Sequence, residues 1–517
     1  MAGGLMQLVA YGAQDFYLTG NPQITFFKVV YRRHTNFATE SIEQTFNGST
    51  NFNGKAVCNL QRSGDLVTKM YLRTTLNGPD LSNTDGKCKW AWVTKVGHAL
   101  MTEITLEIGG TQIDKHYNDW LNIWYELARN FAQDRGYDVM IGNTKELTTL
   151  ASSHNSATLW VPLQFACCRN DGLALPVIAL QYHDIKITIS FNRFDQLINK
   201  TANYTPSQND FTMSSTSLFV DYVYLDNEER KRFAQASHEY LFEQLQFTGA
   251  EGIQSTNAKF RINANHPCKE IIWVAKNTTF TSGNTFLAYN PNNHEASIIE
   301  ATKRFVLRCA KYNHNTLSDS TITYSDDLPQ GLKDVFNSIN PVTLNTSPTL
   351  ENITIMGNPL TLLQYSTPIS LLFSSWNPSI PIVSDGHPAY DVSVFQPDNY
   401  GIYLDGSGNP TNMALLQLNS HDRFSKREGT YFNYVQPWQC HTNTPSDGID
   451  VFSFALNPEE HQPSGTCNFS RIDNANLNID FDPSYNTSNG NASILIFLTN
   501  YNVLRIMSGM GGLAYSN

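Results

Sequence analysis

Thirteen histidines and eight cysteines are the residues of this 517-residue chain best equipped to hold a metal or attack a substrate, and their spacing speaks against both. A cupin-type site needs an H-x-H pair, because residues two apart project from the same face of a strand onto one ion. No two histidines stand two apart. A zincin helix needs H-E-x-x-H, but His238-Glu239 and His294-Glu295 each lack the second histidine. The cysteines (Cys58, Cys88, Cys167, Cys168, Cys268, Cys309, Cys440 and Cys467) contain no C-x-x-C pair, so no zinc ribbon or thioredoxin-type site is encoded. Walker A, G-x-G-x-x-G and G-x-S-x-G motifs are missing too. Glu459-Glu460-His461 crowds titratable groups into one turn, yet adjacent side chains do not converge on one reacting atom. Pro458 and Pro463 mark it as a structural turn. The Gly-rich residues 508–515 invite a phosphate-loop reading, but no helix follows, and a close-packed terminal arm fits better. The expectation is a protein with no metal, no cofactor and no catalytic centre.

Charge and composition narrow the class. The chain carries 35 Lys and Arg against 46 Asp and Glu, a net of −11. Wrapping nucleic acid requires a cationic surface that displaces counterions, so direct genome binding is not expected. The densest basic cluster, Lys28, Arg32, Arg33 and His34, reads as a solvated strand edge. The cysteines read as free, mostly buried thiols of a reducing compartment. No Lys or Arg precedes Lys28, so the basic start of a secretory signal is missing. Ala2 stands where myristoylation needs Gly, and no segment approaches the ~20 apolar residues of a membrane span. A soluble chain made in the cytosol is predicted.

At this length the chain should divide into two cores, since single cores stop growing at about 250–300 residues. Abundant aromatic and β-branched residues favour an all-β fold. Residues 185–191 and 103–108 alternate apolar with polar, the pattern of strands with one core face. Gly109-Gly110 directly afterwards is a two-residue hairpin signal. Residues 477–481 alternate as well, while 494–498 form an unbroken apolar run. A helix is predicted over 119–135, with Trp120, Trp124, Leu127, Ala128 and Phe131 on one stripe and Gly136 closing it. A second helix, over 226–235, carries a capping-box pattern from Asp226 to Glu229 and falls between two strand regions as an interdomain linker. The two halves echo one another: each closes with an alternating strand, a polar loop (192–217 or 482–493) and a final strand.

Six blocks recur in one order: residues 11–38, 114–120 (DKHYNDW), 172–183 (GLALPVIALQYH), 238–249 (HEYLFEQLQFTG), 452–473 (FSFALNPEEHQPSGTCNFSRID) and 500–515 (NYNVLRIMSGMGGLAY). With these the chain resembles the major capsid proteins of nucleocytoplasmic large DNA viruses, in the algal-virus and giant-virus branch. The resemblance implies two consecutive eight-stranded antiparallel jelly rolls with a few short inserted helices. On this reading residues 1–26 form an arm, 27–225 the first roll, 226–240 a linker helix, and 241–517 the second roll with long loop insertions at about 276–419. That insertion, the part least like the family, is expected on the outer surface.

The resemblance also implies a structural protein that self-assembles as pseudo-hexagonal homotrimers into the icosahedral shell of a large double-stranded DNA virus. Its implied partners are itself, minor capsid and penton proteins, and an internal membrane reached through minor proteins, with no direct nucleic acid contact. Its implied location is the virion, after synthesis and assembly in host cytoplasm. The basic cluster then becomes a contact for acidic partners on the shell's inner face. Because some family members are glycosylated outside the sequon rule, Asn277, Asn345 and Asn352 are candidate glycan sites. Two other classes share the fold: a carbohydrate-binding protein, and a hydrolase or oxygenase, which the missing metal spacing disfavours.

Overall fold

Alternation along residues 185–191 becomes a strand that buries Ile185, Ile187, Ile189 and Phe191 and leaves Lys186, Thr188 and Ser190 half-exposed. Met101–Ile108 does the same with Ile104, Leu106 and Ile108 inward. It turns through Gly109 (φ 59°) and Gly110 (φ 82°), left-handed angles that a two-residue hairpin requires and glycine supplies without strain.

The computed structural model of the protein describes residues 3–83, 88–148, 151–200, 204–277, 353–354, 361–362, 409–482 and 492–515. In the first half the strands are β1 (Phe37–Thr45), β2 (Asn47–Gly48), β3 (Lys55–Asn59), β4 (Leu66–Asn77), β5 (Trp90–Trp92), β6 (Met101–Ile108), β7 (Thr111–Tyr117), β8 (Ala157–Pro162), β9 (Ile185–Phe191), β10 (Ile198–Lys200) and β11 (Thr212–Leu225). They form one sheet of order β1-β11-β4-β8, a second of order β2-β3-β9-β6-β7, and a side ribbon β5-β10.

The second half begins with β12 (His238–Gly252), β13 (Asn257–Arg261) and β14 (Pro267–Asn277). Two short strands, β15 (Ile353–Thr354) and β16 (Thr361–Leu362), pair only with each other among the described residues. Then come β17 (Thr411–Leu418), β18 (His421–Asp422), β19 (Arg427–Glu428), β20 (Ile449–Ser453), β21 (Cys467–Asn468), β22 (Ala475–Phe481), β23 (Ala492–Met507) and β24 (Met510–Leu513). Their sheets run β12-β23-β14-β20 and β13-β22-β17-β18, with β21, β24 and β19 at the margins.

Set aside the short accessory strands, and among the described residues each half has eight principal strands. Numbered along the chain, they lie in the order 1-8-3-6 in one sheet and 2-7-4-5 in the other, identically in both halves. That order is a jelly roll, built twice, with the paired sheets closing on separate apolar cores. The echo between the halves is therefore a repeated topology.

Several local expectations change. The helix expected over 119–135 is two: α4 (Asn118–Ala128) and α5 (Asp134–Ile141), following α1 (Gly3–Val9), α2 (Phe16–Thr19) and α3 (Val96–Leu100). Arg129, at ψ 142°, breaks the run. Gly136 lies inside α5, and Gly142 in the left-handed region (φ 78°) closes it. After α6 (Lys145–Thr148) and α7 (Ala166–Arg169), α8 spans Asn227–Gln235. Its expected capping box does not form: the Asp226 side chain makes no cap bond. β11 begins at Thr212, inside the stretch expected to be loop, and β12 starts at His238, inside the span given to the linker. β17 lies within the expected 276–419 insertion, where Ala414 and Leu416 help build the second core. The strand islands at 305–307 and 370–373 and the short helix between 328 and 339 fall outside the described residues. The basic cluster is no strand edge, since residues 28–34 precede β1 as exposed, irregular chain.

Ile187 has no exposed surface, whereas its neighbour Lys186 reaches water. Ile187→Asp should therefore strand an unpaired charge in the core and cost several kcal/mol, with Lys186→Asp near neutral. Thermal melts of the two variants check this, and equal melting temperatures would refute the register.

Candidate functional site: the seam between the two jelly rolls

Helix α4 leaves β7 with Trp120, Ile123, Trp124 and Leu127 on one face. That face packs on the outer surface of the second roll's first sheet, against Ile272, Val274, Val451 and Phe497. Trp120 lies 5.8 Å from Phe497 and Tyr117 lies 4.9 Å from Phe247, ring to ring. The joint is apolar at its centre.

Charge surrounds that apolar centre. Arg169 of α7 reaches Glu243 of β12 at 2.9 Å, and the same carboxylate takes Lys269 of β14 at 2.6 Å. Arg169 also lies 4.6 Å over the Trp124 ring. Asp114 of β7 accepts the Leu245 amide at 3.1 Å, and its other oxygen lies 2.9 Å from His116 Nε2. Gln244 donates to the Ile113 carbonyl at 2.7 Å, and Lys276 donates to Asp119 at 3.0 Å. At the chain's end, the β23–β24 hairpin returns to the first roll: Tyr182 donates to the Gly509 carbonyl, and His183 Nδ1 lies 2.9 Å from the Gly511 carbonyl. Phe242, Leu504 and Ile506 of the second half join the first core.

Behind the seam lies a second buried group. A bulge between Cys268 and Glu270 interrupts β14 pairing, so consecutive residues Lys269 and Glu270 both enter the charge cluster. Glu270 Oε2 stands 3.0 Å from His441, off the line of a hydrogen bond, and His441 Nδ1 meets Glu459 at 2.9 Å. Burial alone would push the imidazole down, but the Glu270 and Glu459 carboxylates push it up to about 9. Burial would likewise raise Glu270, yet His441 and Lys269 hold it below its ordinary value. Further along, burial pushes Asp450 up to about 7, partly offset by hydrogen bonds from Thr411 and Asn409.

The residues singled out in the sequence scatter around this seam. Glu459, dismissed as part of a turn, is a partner of His441, while Glu460 is exposed. Asn277 ends β14, paired opposite Ala492, so it is not in a loop. Asn345 and Asn352 lie outside the described residues. Lys28, Arg32, Arg33 and His34 are exposed ahead of β1 and make none of the seam's ion pairs. All seven described cysteines are free and none is fully exposed, though only Cys58, Cys167 and Cys268 are buried. Among the described residues no three His, Cys, Asp or Glu converge to hold a metal. What sequence reasoning missed is the set Arg169, Glu243, Lys269, Glu270 and His441; Glu243, Lys269 and Glu270 were signalled only as charges inside strand blocks, and Arg169 and His441, at helix ends, carried no signal. The arrangement fastens two sandwiches into one block.

Glu243→Gln should leave the buried Lys269 and the half-buried Arg169 facing a neutral amide and cost about 3–5 kcal/mol, measurable by denaturant unfolding. His441 gives a pH signature. Its folded value lies above its unfolded value of about 6.5, so its stabilisation is whole below that pH and is lost as pH climbs through about 9. That loss is on the order of 3 kcal/mol and should vanish in the Glu270→Gln/His441→Gln double variant; equal pH slopes from 6.5 to 9 would refute the assignment.

Comparison with known proteins agrees with this geometry. Residues 25–226 match the family described as major capsid protein N-terminus, and residues 229–512 match the large eukaryotic DNA virus major capsid protein family. Capsid protein 1 of Acanthamoeba polyphaga mimivirus and the major capsid protein of Phaeocystis pouchetii virus are each 42% identical, with both chains covered in full. Among solved structures, PBCV-1 VP54 aligns over 95% of this chain and 100% of its own with a TM-score of 0.66 and 31% identity. The PBCV-1 virus capsid model aligns over the same shares at 0.64 and 32%. Matched along both rolls and across the seam that joins them, this chain belongs to the major capsid protein family of large eukaryotic DNA viruses, whose members form the icosahedral capsid.

Proposed function

We propose that the chain builds this shell as a homotrimer of pseudo-hexagonal outline, with residues 27–225 and 241–517 as its two wedges and the segment around α8 as the link. One observation carries the reading: both halves repeat one strand order and are fused through a buried seam. Two similar wedges in each of three chains give six near-equivalent edges, and six-sided blocks tile a surface. Cyclic symmetry closes the trimer, while weaker edge contacts extend the lattice. Its work is self-association through buried surface, with no bond made or broken. Minor capsid and penton proteins, and through minor proteins an internal membrane, are the further partners, and assembly takes place in host cytoplasm.

Light scattering on freshly purified protein should give three times the chain mass before any lattice forms. A monomer at micromolar concentration under native conditions would overturn the reading.

A further inference from the structure

The contact that joins the two rolls inside one chain has two unmatched halves elsewhere on the same chain. Inside the chain, the connection between principal strands 5 and 6 of the first roll supplies α4, whose tryptophans cover the outer face of the second roll's 1-8-3-6 sheet. The second roll has a helical turn in the equivalent connection, at Tyr431–Val435 and Gln436–Cys440, between β18 and β20. Its inner side is fixed: Phe432 and Asn433 are fully buried, and Asn433 donates to the Ile449 carbonyl at 2.9 Å. Gln436 accepts the Ser453 amide at 3.1 Å. Its outer side presents Trp438, 78% exposed, beside Val435 at 40%.

The receiving half is also open. On the first roll, the outer face of the 1-8-3-6 sheet carries Tyr71, Arg73, Trp160 and Phe219, all half-exposed. Trp160 and Phe219 lie 4.6 Å apart, and the Arg73 guanidinium sits 5.7 Å and 5.8 Å over their rings. These four side chains keep part of their surface in water, whereas the counterpart face of the second roll is buried under α4. A fixed tryptophan in water and a half-covered aromatic face are each unfavourable alone, since a large aromatic side chain buries on the order of 150–250 Å² when it docks.

We infer that Trp438 of one copy docks on the Tyr71–Arg73–Trp160–Phe219 face of the next copy in the trimer, repeating between chains the contact that α4 makes within a chain. The occupant is a second copy because the donor half and the acceptor half both belong to this sequence. Their pairing in a single chain already exists in equivalent form, which supplies the geometry. Such a contact is head-to-tail, and head-to-tail contacts close into rings when the rotation allows. Arg73 adds a cation over the incoming indole, the aromatic partner that attracts it most.

This inference rests on the trimer reading, and the experiment separates the two. Trp438 is replaced by p-benzoyl-phenylalanine in full-length chains, and trimers are formed from mixed heavy-isotope and normal protein. After irradiation, cross-links should join heavy to light chains and map to peptides covering residues 69–75, 157–162 or 217–223. Trp438→Ala should raise the concentration at which trimers dissociate at least tenfold without shifting the melting of the isolated chain. Trp120→Ala, inside the seam, should instead lower that melting temperature. An intact trimer whose cross-links stay within one chain, or map to another surface, overturns the inference alone. Unchanged trimer dissociation in Trp438→Ala does the same, and a monomeric wild type overturns both readings.

Discussion

Glu243 is held out of water between Arg169 of the first roll and Lys269 of the second, and the rest of the molecule is arranged around keeping that carboxylate neutralised. A buried ion pair adds little net stability, because desolvation cancels most of the attraction. Breaking one is different: a lone buried charge costs several kcal/mol, so the rolls can dock in one orientation or not at all. The driving force comes from the apolar centre around Trp120, Trp124 and Phe497. Apolar contact alone tolerates sliding; the charges at its margin do not. A shell tile needs a fixed angle between its wedges, and this division of labour supplies one.

The fingerprint blocks of the sequence acquire a physical reason here. Residues 114–120 hold Asp114, His116, Asp119 and Trp120; residues 238–249 hold Glu243, Gln244 and Leu245. Both lie at the seam, as do Tyr182 and His183 from 172–183 and the hairpin in 500–515. The block at 452–473 contributes Glu459 and the Pro458 carbonyl that Lys269 reaches. Only 11–38 stays away from the seam, as exposed chain that leads into β1 at Phe37. A motif search for catalytic spacing was bound to fail on such residues, because their partners are distant in sequence: Arg169 with Glu243, Glu270 with His441.

Strands were legible because a sandwich core imposes a period of two on every strand that lines it, whereas the jelly-roll topology was implied by the family resemblance. Residues 185–191, 103–108 and 475–481 show that period and are strands. Helices were less legible. The stripe from Trp120 to Phe131 satisfied helical spacing, but spacing does not encode the extended Arg129 that ends α4. The Asp226–Glu229 pattern met the capping rule, yet Asp226 makes no cap bond while Arg230 turns to Asp65.

The seam was nonetheless written into the sequence, in a form that alternation analysis sets aside. Residues 494–498 form an unbroken apolar run, and β23 is buried on both faces through this stretch. A strand covered on one side only would alternate; one covered on both would not. In the first roll the equivalent strand, β11, keeps its alternation, with Leu218, Val220 and Tyr222 inward and Phe219, Asp221 and Val223 half-exposed. Two rolls with the same strand order thus differ in the period of the same strand, and the difference reports whether the outer face of the sheet is covered within the chain. In a duplicated β-sandwich, loss of alternation in one copy's last strand marks which copy receives its neighbour, and retained alternation around an aromatic such as Phe219 marks the face left to be met from outside.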